Sequence, residues 1–188
     1  MKRNKRLFFA SALMIAFPLA SQAEDLNVDF TANVLATTCS MSIASLDGST
    51  VTGNAASGYT LSFGDVGMDK IALKSAESEK NFKFVANECS ASLTNISTKL
   101  ASSQSASGNY IKNESTATDA ATNVGMGFKR KSTSGDTWLT PGSGQIDWTQ
   151  AERDASTVEM TVALRELTDG AGTMGAFSAK ATFDFTYQ

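Results

Sequence analysis

The chain has 188 residues, with 16 Lys+Arg, 19 Asp+Glu and no histidine. The missing imidazole excludes Ser-His-Asp and Cys-His catalysis, the HExxH zinc site and every histidine-ligated metal. The acidic balance leaves no basic patch to hold a nucleic-acid backbone, and no GxxxxGK[ST] or strand-linked GxGxxG is present to cradle a phosphate.

In chain order, Lys2, Arg3, Lys5 and Arg6 form a basic start, an apolar run covers residues 7–19, and Ser21-Gln22-Ala23 puts small residues where a signal peptidase reads. Residues 1–23 are therefore expected to be a secretory signal, too short in its apolar part to span a bilayer. Its removal leaves 165 residues, Glu24 to Gln188, enough for one domain. Four basic residues leave with it, so 12 Lys+Arg stand against 19 Asp+Glu, a net charge of −7.

The mature start alternates without a break: Leu26, Val28, Phe30, Ala32 and Val34 on one face, Asn27, Asp29, Thr31 and Asn33 on the other. Period two over nine residues predicts a strand with one apolar face. Further strands are expected at 59–63, at 81–89 (Phe82, Phe84 and Ala86 in alternation) and at 93–100. Residues 68–80 are spaced ambiguously between helix and loop. The Ser-, Ala-, Thr- and Asn-rich stretch 101–122 suggests an exposed connection around a small strand at Tyr110–Ile111. Strands at 124–131 and 157–165 flank turn signals at Ser134-Gly135-Asp136 and Pro141-Gly142-Ser143-Gly144. The last strand, 177–187, alternates Phe177, Ala179, Ala181, Phe183, Phe185 and Tyr187 with polar residues.

Ser and Thr number 44, Gly 14 and Pro 2, and the apolar runs are short and β-branched or aromatic. That pattern predicts an all-β chain, and the strand spacing suggests an immunoglobulin-like sandwich. Cys39 and Cys89 are the only cysteines. In an exported chain a reactive or metal-binding pair is the weaker reading, and a disulfide the expected one. Closing that loop is worth about 4 kcal/mol in the chain-entropy model. No catalytic residue, metal or cofactor is expected.

The two alternating termini fit either ordinary strands of a complete sandwich or strands that pair with another chain, because an edge strand and a donated strand share one periodicity. Three stretches resemble subunits of chaperone–usher pili of the type 1 and P pilus kind. They are EDLNVDFTANVLATTC at 24–39, FKFVANEC at 82–89 and GAFSAKATFDFTYQ at 175–188. In those families a glycine lies fourteenth from the end and a tyrosine is penultimate, as Gly175 and Tyr187 do here. LSFGDV at 61–66 resembles the strand after the first cysteine.

The resemblance implies an incomplete immunoglobulin-like sandwich that lacks its final strand. A periplasmic chaperone fills the gap first, and the outer-membrane usher then exchanges the chaperone strand for the next subunit's N-terminal extension. It divides the chain into signal 1–23, donor extension 24–38 and pilin domain 39–188. Leu26, Val28, Phe30, Ala32 and Val34 become the pocket residues of the donor strand. Gly175, Phe177, Phe183, Phe185, Tyr187 and Gln188 line the groove that meets chaperone or neighbouring subunit. The fourth donor position is usually glycine in this family, and here it is Ala32. The protein implied is a structural, adhesion-supporting component of a cell-surface fimbrium and not an enzyme.

A carbohydrate-binding tip adhesin is the alternative, with Tyr110, Trp138 and Trp148 as its aromatic surface. Such adhesins carry an extra receptor-binding domain and lack a donor extension, unlike this chain. A secreted enzyme would have to use carboxylates such as Asp147, Glu152, Asp154 and Glu159, which are more simply surface charges of an acidic protein. Lys129-Arg130-Lys131 reads as a solvated hairpin end, and Asn95-Ile96-Ser97 and Asn113-Glu114-Ser115 match the glycosylation pattern without much weight in a bacterial protein.

Overall fold

Alternation along β4 (Glu79–Asn87) turns Phe82, Phe84 and Ala86 inward, and these three are nearly inaccessible at 3, 0 and 4 % exposure. This strand anchors the structure, a computed structural model that describes residues 38–188. The expected signal and the donor residues Leu26, Val28, Phe30, Ala32 and Val34 lie outside the described residues.

β4 sits between β1 (Ser40–Ser45) and β10 (Thr157–Glu166), antiparallel to both. β10 continues to β8 (Val124–Arg130), then to the short β7 (Tyr110–Lys112) and β6 (Ala106–Ser107), completing a six-stranded sheet. A second sheet has the order β11 (Phe183–Tyr187), β5 (Ile96–Leu100), β9 (Gln145–Asp147). β2 (Thr50–Asn54) and β3 (Gly58–Ser62) form a separate hairpin.

The two larger sheets share one core. Ile96, Leu100, Ile146 and Trp148 from the second pack with Phe82, Phe84, Val158 and Val162 from the first. Phe183 stands edge-on to Phe84 at 4.9 Å and to Phe128 at 5.1 Å, and Phe185 lies 5.2 Å from Phe84. Such T-shaped contacts add to the area that the rings bury. Thr98, fully buried within β5, accepts a hydrogen bond from the Trp148 indole N–H at 2.9 Å, so neither polar atom is stranded in the core. The all-β architecture is what the composition predicted.

Several elements differ in detail from the sequence expectation. Residues 68–80 divide into a one-turn helix α1 (Met68–Ala72), a 3-10 turn (Ala76–Ser78) and the start of β4. The strand expected at 93–100 begins at Ile96, because Thr94 and Asn95 turn their main-chain N–H groups to the Gln188 oxygen. Of the strand expected at 177–187, only Phe183–Tyr187 has a ladder partner among the described residues. β1, β2, β9 and the short helix α2 (Gln150–Asp154) had no clear signal. α2 is set by a capping box, in which Thr149 Oγ1 accepts from the Glu152 N–H and the Glu152 carboxylate accepts from the Thr149 N–H.

Candidate functional site

β3 pairs only with β2, and β11 only with β5, among the described residues. Between these two edges lies an apolar groove of about 1240 Å³. Residues 58–68 line one side, with Tyr59, Leu61, Phe63 and Val66; residues 173–183 and Phe185 line the other. Phe82, Phe84, Met126, Phe128, Val162 and Leu164 form its floor. The floor is buried, whereas Phe177, Ala179, Ala181, Phe183 and Phe185 along the C-terminal wall, and Tyr187 just past the groove lining with Gln188, follow an alternation in which the apolar residues are half-buried and their polar neighbours exposed.

The hydrogen bonds show which way that wall faces. Gln188 and Asn95 exchange both main-chain bonds at 3.0 Å, and Ala101 N–H donates to the Thr182 carbonyl at 2.9 Å. In an antiparallel ladder every second pair is hydrogen-bonded, so the main-chain groups of residues 182, 184, 186 and 188 point to β5. Those of Phe183, Phe185 and Tyr187 point away from it. The same parity continues upstream: Ala176 bonds with Asp119 and Ala121, and the Ser178 carbonyl accepts from the Glu114 N–H at 2.6 Å. Phe177, Ala179 and Ala181 have no main-chain partner among the described residues. The wall is one continuous edge eleven residues long, although only five of them form a strand.

Gly175 begins this wall with φ +144°, and a Cβ there would collide with the Asp119 carbonyl and come within 2.7 Å of the Ala121 nitrogen. Only glycine admits that approach. At the opposite end the Gln188 oxygen accepts from Thr94 N–H, Thr94 Oγ1 and Asn95 N–H, and the Tyr187 hydroxyl reaches the Cys39 carbonyl at 3.4 Å. Burial pushes the Tyr187 hydroxyl pKa up. Cys39 and Cys89 are bonded, with Cα atoms 4.1 Å apart, at the joined ends of β1 and β4.

Two residues with no strong sequence signal stand out. The side chain of Asn113, which matched only a glycosylation pattern, makes four hydrogen bonds. Its Nδ2 donates to the carbonyls of Ala121 and Ala176, both at 2.7 Å, and its Oδ1 accepts from the N–H groups of Ser115 at 3.0 Å and Ser178 at 2.9 Å. Its partners on the wall are 63 and 65 positions away, beyond any local pattern. On the outer face of the large sheet, Arg165 is 1 % exposed and pairs with Glu79, Asp136 and Ser78 Oγ.

The aromatic residues weighed for a sugar surface are structural. Trp148 is core, and Trp138 is 5 % exposed beneath Lys129 and Arg165, which lie 4.7 and 5.0 Å from its ring. Tyr110 packs over Gly125 and Gly127, where a Cβ would come within 2.9 Å of its side chain. The carboxylates are dispersed: Glu152 caps α2 and pairs with Arg130 at 3.0 Å, Glu159 pairs with Lys131 at 3.2 Å, Asp147 accepts from Gln145, and Asp154 accepts from Gln150. Within the basic cluster, Lys129 is buried and Lys131 also meets Asp47 at 2.8 Å.

A family described as fimbrial protein matches residues 28–188. Over 170 residues the chain is 42 % identical to the uncharacterized fimbrial-like protein YadM of Escherichia coli strain K12, covering 88 % of each chain. Among solved structures, the crystal structure of the P pilus rod subunit PapA is similar in fold, with a TM-score of 0.53 at 14 % identity over 86 % of this chain and 100 % of that one. The open-sided, immunoglobulin-like sandwich and the match along most of its length together establish that the chain belongs to the fimbrial protein family.

Proposed function

We propose that this chain is a structural subunit of a surface pilus that polymerises by donor-strand exchange and, as polymer, supports adhesion. The observation that carries the proposal is the pair of strand edges, unpaired among the described residues, on either side of an apolar floor. Unpaired main-chain groups and exposed apolar area are both unfavourable in water, and one alternating strand relieves both. Its main chain pairs with the edges while every second side chain enters the groove.

The chain's own extension has that form. Leu26, Val28, Phe30, Ala32 and Val34 alternate over nine residues, about 30 Å at roughly 3.3 Å per residue. The C-terminal wall from Phe177 to Tyr187 is of matching length. The extension of one subunit enters the groove of the next, and Ala32 asks the acceptor for one methyl group more room than glycine does. Before assembly a periplasmic chaperone occupies the groove, and the outer-membrane usher catalyses its replacement. Gly175, Phe177, Phe183, Phe185, Tyr187 and Gln188 are the contact residues for either occupant. The route runs from the signal 1–23 through the periplasm to the fimbrium, with 24–38 as donor extension and 39–188 as pilin domain.

Phe30→Asp separates donation from folding. A charge at this position opposes entry into an apolar pocket by several kcal/mol. The variant should fold, form the Cys39–Cys89 bond and bind chaperone, yet fail to enter polymers through its N-terminus. Periplasmic yield, non-reducing mass spectrometry and polymer assays measure these in turn. An unfolded Phe30→Asp subunit would instead make the segment an ordinary core strand.

A further inference from the structure

We propose that Asn113 and Glu114 are positioning residues of the groove, which stand in for a neighbouring strand along residues 176–180 chiefly through their side chains. The inference rests on the strand-accepting reading and adds to it the means by which half of the accepting edge is kept ready. Phe183–Tyr187 have β5 as a template and Thr182 still accepts from Ala101 beside it; residues 177–181 alternate in burial without a ladder partner among the described residues. A segment without one regains backbone freedom and loses its pleat unless something else holds it.

The primary amide of Asn113 carries the donor and acceptor of a peptide group. Its Nδ2 takes the Ala176 carbonyl at 2.7 Å and its Oδ1 takes the Ser178 N–H at 2.9 Å, as a paired strand would. The adjacent residue extends the imitation: Glu114 N–H donates to the Ser178 carbonyl at 2.6 Å, and its carboxylate accepts from the Lys180 N–H at 3.1 Å. All four bonds fall on even-numbered wall residues and therefore on the side away from the groove. With that side occupied, the main-chain groups of Phe177, Ala179 and Ala181 are turned toward the incoming strand.

The test uses the mature chain carrying Phe30→Asp, so that its own extension does not compete, refolded with an excess of the synthetic peptide EDLNVDFTANVLATT (residues 24–38). Disulfide formation and the fluorescence of buried Trp148 report the fold. Peptide release and hydrogen exchange report the edge. Asn113→Ala should keep the fold signals but release peptide about tenfold faster, as expected for the loss of hydrogen bonds worth roughly a factor of ten together. Protection should fall at Phe177, Ala179 and Ala181 and persist at Phe183, Phe185 and Tyr187. Glu114→Ala should act in the same direction by about threefold, and Glu114→Gln, which retains a carbonyl acceptor, should stay near the parent. Parental release rates in both alanine variants would overturn the inference and leave the strand-accepting reading intact. Protection lost evenly across the domain would also overturn it, since that is the mark of a merely structural role. If Asn113→Ala does not fold, Glu114→Ala and Glu114→Gln decide alone, because among the described residues the exposed Glu114 side chain bonds only Lys180 N–H. A parent that binds no peptide removes both the inference and the reading beneath it.

Discussion

Arg165 carries a full charge at 1 % exposure, and its guanidinium is spread over Glu79, Asp136, Ser78 Oγ and the Leu164 carbonyl, with the Trp138 ring against it. A buried charge of this kind is tolerated only while its partners remain. Glu79→Ala should therefore lower stability by about 2 kcal/mol, less than a fully buried pair because Glu79 is partly exposed, read as a fall in the urea midpoint. Adding Arg165→Met should restore most of the loss, and no restoration would show that the guanidinium tolerates losing Glu79. The tyrosines give a pH prediction. Burial raises the Tyr110 and Tyr187 hydroxyl pKa values, with the Asp136 carboxylate adding to the first. Groups raised in the folded state stabilise it fully below their unfolded pKa, near 10, and lose that contribution as pH rises through the folded values. Two of the three tyrosines should thus ionise late in an absorbance titration, and the thermal midpoint should fall above about pH 10.

Among the elements, β1 depends most on a covalent tie. It is an edge of the six-stranded sheet, made of the short and partly polar run SMSIAS, and the Cys39–Cys89 bond holds its first end to the last end of β4. Replacing both cysteines by alanine should cost about 4 kcal/mol, the closure entropy of a loop of this length, and should increase hydrogen exchange in β1 before β10. Unchanged exchange in β1 would show that β4 holds it without the bond. β4, β8 and β10 were legible in the sequence because aromatic and branched residues alternate along them. β1, β2 and β9 were not, because strands of three to six mostly small residues share their composition with loops. The upper part of the C-terminal wall was legible as alternation, but its main-chain partners come from Asn113, Glu114, Asp119 and Ala121, which no period connects to it.

For the whole molecule, the strand-accepting reading predicts that the isolated subunit is less stable than the same subunit with a strand bound. A ligand that binds only the folded state adds stability in proportion to the logarithm of its concentration, about 2.7 kcal/mol at one hundred times its dissociation constant. The thermal midpoint of the Phe30→Asp subunit should therefore climb steadily with added 24–38 peptide, and a version of that peptide with aspartate in place of Phe30 should have little effect. A midpoint indifferent to both peptides would mean that the groove accepts no strand from this sequence.

The sequence alone determined the all-β class, the disulfide and the alternating face of the C-terminal wall, because each of these depends on composition or on neighbours two residues apart. The resemblance in GAFSAKATFDFTYQ pointed to Gly175 and Tyr187 before any geometry was known. Only the tertiary structure decided that Trp148 is core and Trp138 buried beneath two cations, that Arg165 is a buried charge, and that Asn113 holds a chain segment more than sixty positions away. It also decided that, among the described residues, β3 and the C-terminal stretch from Phe177 to Phe185 border one apolar groove with an unbonded edge on each. Periodicity states which side chains share a face; whether the main chain beside them is already paired depends on which distant strand the fold brings alongside.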